Sequence, residues 1–79
     1  MEDFPHLTQS VAEVLKELLE RKSITTAQLA RDAGMDRLYL HHLLAGKHQL
    51  TLNAVFTICR GLDMSAAKFV EMVEERVKG

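Results

Sequence analysis

Cysteine is nearly missing from the chain: Cys59 stands alone, so no intrachain disulfide can form and a cysteine-rich zinc site is excluded. A lone thiol fits a reducing compartment. Proline is as scarce, with only Pro5 near the start. No basic-plus-apolar leader and no run of about 18 apolar residues occurs, so neither secretion nor membrane spanning is expected, and a cytoplasmic location is. No segment alternates apolar and polar residues as a half-buried strand would. Repeats and linkers are absent too. What remains is one domain of 79 residues, short enough that a partner subunit would add useful stability.

The net charge of −1 argues against a polyanion partner until its distribution is read. Residues 1–20 carry Glu2, Asp3, Glu13, Glu17 and Glu20 against Lys16, a net −4. Residues 21–61 carry Arg21, Lys22, Arg31, Arg37, Lys47 and Arg60 against Asp32 and Asp36, a net +4, together with three of the four histidines. Residues 62–79 return to −1. A local field, not the total, decides docking on phosphates. On charge alone, ordinary solvated surface explains the middle segment equally well.

Apolar residues recur at helical spacing throughout. Val11, Val14, Leu15, Leu18 and Leu19 predict an amphipathic helix from about Leu7 to Arg21, with Glu13, Glu17 and Glu20 on another side. A second helix starts at Thr25 or Thr26 with Leu29, Ala30 and Ala33 inward, and stops at Gly34. Asp36 is placed to cap a third, from Arg37 to about Ala45, with Leu40, Leu43 and Leu44 inward and Gly46 closing it. Thr51 is placed to cap a fourth that carries Leu52, Val55, Phe56, Ile58 and Cys59 and ends near Gly61. Ser65 is placed to cap a fifth with Ala66, Phe69, Val70, Val73 and Val77 at core spacing. The expected class is all-α, five short helices in a single domain over residues 1–79.

The second and third helices around Gly34 make a helix-turn-helix over about residues 25–45. From Leu15 to Ser65 the chain resembles the Cro/repressor-type (XRE) helix-turn-helix family of DNA-binding regulators. The matching stretches are "SITTAQLARDAGMDRLYLHHLLAGKHQLTL" and "ICRGLDMS", which hold the family's Thr25, Leu29-Ala30, Gly34 and Gly46-Lys47. Within the family, "DRLYL", "LTL" and "RGLDMSAAKFVEMV" are most similar to controller proteins of restriction–modification systems. The resemblance implies a compact five-helix repressor-like fold, bacterial or phage origin and operator DNA as partner. Two positions depart together: a family Arg near the end of helix one is Leu19 here, and its Glu partner near the end of helix three is Leu44. Losing one partner strands a buried charge at roughly 3–5 kcal/mol, whereas replacing both is often neutral. Further departures are Thr26 for a common Gln, His41 for a common Ser and His48 for a frequent Arg.

If helix three enters the major groove, its N-terminal and outward residues meet base edges: Arg37, Leu38, His41 and His42. Arg37 has the planar fork that matches guanine O6 and N7, and Leu38 suits a thymine methyl. Tyr39 is either a phosphate donor or a packed aromatic; sequence alone leaves both open. Lys47, His48 and Gln49 follow the helix where the chain crosses the phosphate backbone. Thr25 and Thr26 offer a hydroxyl and helix-start amides to another phosphate. Histidine ordinarily changes charge between pH 5 and 8, so binding is expected to be tighter near pH 6 than near pH 8.

No metal or other cofactor is expected. His41 and His42 are adjacent and diverge by about 100°, and no His-x-x-x-His or matching acid or thiol accompanies them. Nor is an enzyme expected: Cys59 lies on the apolar side of its helix, where an inert thiol is the plainer reading.

One such module reads few base pairs, so a homodimer on a palindrome is expected. The controller resemblance points to the last helix, about residues 66–77, with Phe69, Met72, Val73 and Arg76 at a self-complementary contact. RNA polymerase is a further partner that the acidic stripe would suit, though solvated surface explains it more simply. The alternative function is a protein-interaction module, as in an antitoxin or antirepressor, with helix three covered by another polypeptide.

Overall fold

The computed structural model describes Phe4 and residues 6–79; Met1, Glu2, Asp3 and Pro5, two of the acids and the single proline among them, lie outside the described residues. Five helices follow one another: α1 Leu7–Lys22, α2 Thr26–Ala33, α3 Arg37–Leu44, α4 Leu52–Gly61 and α5 Ala66–Lys78. No strand occurs among the described residues. α1 packs on α3 and α5, α2 on α3 and α4, and α4 on α5, so α1 and α4 form the scaffold behind the α2–α3 pair.

Capping chemistry sets the helix boundaries. Thr25 accepts a hydrogen bond from the Gln28 N–H at 3.1 Å while its own N–H donates to Gln28 Oε1 at 2.9 Å, a reciprocal capping box. That fixes Thr25 as the cap and Thr26 as the first helical residue. Thr51 and Ser65 accept from Ala54 and Lys68 in the same way. Asp36 occupies the cap position of α3 in extended backbone, yet its side chain makes no capping bond.

The helix C-termini share a second device. Met35 N–H reaches Ala30 O at 2.8 Å and Lys47 N–H reaches His42 O at 3.0 Å, closing α2 and α3 over left-handed Gly34 and Gly46. Ser23 and Asp63 adopt the same left-handed conformation after α1 and α4. Gly61, read from sequence as the end of α4, has another reason to be glycine. A Cβ there would lie 2.9 Å from the Ala33 Cβ, so its missing side chain lets α4 approach α2.

The core joins all five helices. Val14, Leu15, Leu29, Leu40, Ile58 and Phe69 are fully buried. Leu19 is buried and Leu44 half-buried against the same cluster, so the apolar replacement of both family charges is absorbed by packing. Two expected inward groups are not inward. Leu52 and Phe56 of α4 are 69% and 61% exposed, and Val70 of α5 is 49% exposed. Val55, Ile58, Cys59 and Leu62 already fill the inner stripe of α4; Phe56 lies about 100° round the helix from Val55, and Leu52 is the first residue of the helix, at its exposed end.

Candidate nucleic-acid interface

The turn between α2 and α3 is rigid because its backbone donors are used. Gly34 N–H and Met35 N–H bond back to Arg31 O and Ala30 O, and α3 begins two residues later. From behind, Arg60 Nη2 donates to Ala33 O at 3.2 Å, satisfying a carbonyl at the end of α2 from α4. Together with the close approach at Gly61, this fixes α2 on α4. α3 is held by Leu40 and Leu43, both fully buried.

With that edge anchored, α3 presents Arg37, Leu38 and His41 to solvent, with His42 and Tyr39 half-buried at the flanks. Arg37 makes no ion pair with another described residue, so its guanidinium is unspent. Leu38 is 61% exposed, an uncommon position for leucine on a small domain and one that suits an apolar contact outside the chain. Lys47, His48 and Gln49 are exposed on the segment that leaves the helix. At the other end of the face, the Thr25 hydroxyl oxygen and N–H are both engaged in the capping box, which leaves the amides of Thr26 and Ala27 at the helix start.

Tyr39 is half-buried. Its ring packs against the core while lying 6.1 Å, centroid to centroid, from the His48 ring. His48 in turn lies over His42: His48 Nε2 and His42 Nδ1 are 3.3 Å apart and share a hydrogen bond, with ring centroids at 5.1 Å. Sequence reasoning compared His42 with its neighbour His41 and missed its meeting with His48. The available signal was Gly46, whose left-handed turn folds the chain back over the helix end.

The predicted dimer residues divide differently. Phe69 and Val73 are 1% and 7% exposed, so within the single chain both belong to the core. Met72 is half-buried against that core. Arg76 is tied to α1, 3.2 Å from Glu13 and 3.6 Å from Glu17, which also pairs with Arg21 at 3.2 Å. The acidic stripe of α1 is thus partly neutralised within the chain. Three exposed apolar side chains of α4 and α5, Leu52, Phe56 and Val70, line a shallow groove with Ala66, Ala67, Glu71 and Glu74.

Cys59 is buried, and desolvation raises its thiol pKa, so the thiol is held in its protonated, unreactive form. Among the described residues no helix is long and apolar enough to cross a membrane.

These features meet a consistent set of relatives. Over 99% of its length the chain matches the restriction–modification controller protein C.Esp1396I, solved as a tetramer in complex with its natural 35 base-pair operator, at 28% identity, TM-score 0.85 and all of that chain covered. The wild-type form of that controller matches at 28% identity and TM-score 0.84, over 99% of this chain and 97% of its own. The clp gene regulator ClgR from C. glutamicum shares the fold at 20% identity and TM-score 0.80, over 89% of this chain and 91% of that one. Comparison with curated protein sequences finds no match. The family model for the Cro/C1-type HTH DNA-binding domain covers residues 14–75, helix-turn-helix included, and the chain belongs to that family.

Proposed function

We propose that the chain is a transcriptional regulator that binds a palindromic operator as a homodimer, reads bases with α3 and acts in the cytoplasm of a bacterial cell. The observation that carries this reading is the outward row Arg37, Leu38 and His41 on a helix whose opposite side, Leu40 and Leu43, is locked into the core. That arrangement is what major-groove reading needs: a rigid rod with free side chains on one side only. Arg37 takes the guanine, Leu38 the thymine methyl, and Lys47, His48 and Gln49 the flanking phosphates. Thr25 and Thr26 place the start of α2 on the neighbouring phosphate. The likeness to a controller bound to its operator supports a restriction–modification context. We assign the chain no catalytic chemistry.

The dimer contact is the exposed groove of α4 and α5, not the buried side of α5. Leu52, Phe56 and Val70 give an exposed apolar patch, flanked in the groove by Glu71 and Glu74, and a twofold axis makes such a patch self-complementary. The tetramer of the similar controller supports assembly through this family's own chain. Met72 and Arg76 lie on the side of α5 towards Glu17, away from the patch.

Selection of binding sites from random duplexes at two salt concentrations tests the reading. A regulator yields an inverted-repeat consensus, with affinity falling linearly in log–log form as salt rises. The exposure of Leu38 also favours a second reading, an antitoxin or antirepressor whose protein partner covers α3. That reading predicts no consensus and little salt dependence.

A further inference from the structure

We propose that His42 and His48 form a two-point chelate for a divalent d-block cation of the zinc class, on the edge of the α3 face. The two nitrogens that meet, His42 Nδ1 and His48 Nε2, are 3.3 Å apart. Zinc–imidazole bonds are about 2.0–2.1 Å long, so an ion bound to both nitrogens at this separation subtends about 107°, close to tetrahedral. The separation matches the bite of such an ion; each ring, aimed along the nitrogen–nitrogen line by the hydrogen bond, has to swing by about 36° to point its lone pair at it.

The backbone holds that bite. Lys47 N–H donates to the carbonyl of His42 itself at 3.0 Å, and Gly46 N–H donates to Leu43 O at 3.1 Å, so the turn carrying His48 is fastened to the residue it must meet. Left-handed Gly46 permits that reversal, and the Tyr39 ring flanks His48 on its other side. Both imidazoles retain solvent access, which an incoming hydrated ion requires.

With both rings neutral, binding conserves protons. In the free pair one nitrogen carries the bridging hydrogen and the other accepts it. On chelation each ring places its proton on the nitrogen that does not bind, His42 Nε2 and His48 Nδ1. Two water ligands leave the ion and two nitrogen–metal bonds form. Among the described residues no cluster of three or more ligating side chains occurs, so the remaining coordination positions are filled from outside the chain. The ion adds positive charge beside Lys47, where the proposed function places phosphate; the chelate itself does not rest on that function.

Calorimetric titration of chelator-treated full-length protein with zinc chloride, without DNA, tests the chelate. One ion per chain is expected, with the His42 Nδ1 and His48 Nε2 resonances shifting as ligands in long-range nitrogen–proton spectra. His42→Ala and His48→Ala are each expected to weaken binding about tenfold or more, because a single donor loses the linked second contact. His6→Ala serves as the neutral control, and circular dichroism confirms that each variant folds. Wild-type binding no tighter than that of the double variant, or unshifted ring signals at saturation, overturns the proposal. A second arm adds random duplex: zinc is expected to tighten wild-type binding and leave His48→Ala unchanged. A chelate confirmed without that gain keeps the metal site and removes it from the DNA-facing surface.

Discussion

Two exposed surfaces of the same small domain are built on opposite principles. The α3 face carries Arg37, His41, Lys47 and His48 around a single outward leucine, Leu38. The α4–α5 face carries Leu52, Phe56 and Val70, with Glu71 and Glu74 lining the same groove. The first can gain most from charge, which salt screens and pH adjusts. The second can gain only from apolar area removed from water, which salt does not screen. An operator and a second copy of the chain therefore compete for nothing, and each surface can be disabled without the other.

The largest expected effect separates the two sides of α3 itself. Leu40→Ala removes a fully buried side chain and is expected to cost roughly 2–5 kcal/mol of stability, whereas Leu38→Ala should change stability by about 0.5 kcal/mol or less. Urea unfolding of both variants reads the difference. Equal losses would mean that α3 is not seated as described, and its outward row would lose its meaning.

Next in size is the assembly. Phe56→Glu places a charge in the α4–α5 patch and is expected to yield a monomer by analytical ultracentrifugation at concentrations where the native chain is dimeric, with the helical circular dichroism spectrum kept and the melting temperature lowered by the lost association. Met72→Glu, on the other side of α5, should leave the dimer in place. A reversed outcome would restore the assignment of the contact to the helix face read from the sequence.

The same contrast shows where sequence was informative. The α2–α3 region was legible because its signals are local: a capping threonine, a left-handed glycine and a single leucine stripe each act within a few residues. Helices α4 and α5 carry more apolar residues than one stripe holds, and periodicity cannot say which of two neighbouring stripes faces inward. Phe69 and Val73 took the core, and Val70 was left outside, where α5 packs on both α1 and α4. The pairing of His42 with His48 was hidden for a different reason. Gly46 signals that the chain reverses, but how far the turn folds back, and so which rings meet, is not fixed by residue spacing. Arg76 was likewise unreadable, since its partners Glu13 and Glu17 lie some sixty residues earlier in the chain.

Arg37→Ala sharpens the α3 side of the comparison. Loss of a bidentate guanine contact is expected to weaken operator binding by about 1–3 kcal/mol and to relax one base position per half-site. Lys47→Ala, a phosphate contact, should instead weaken all sequences alike and lower the salt slope by about one. Titrations by fluorescence anisotropy against consensus and scrambled duplexes distinguish the two. If Arg37→Ala weakens both duplexes equally, it binds backbone and the reader of that base lies elsewhere on α3.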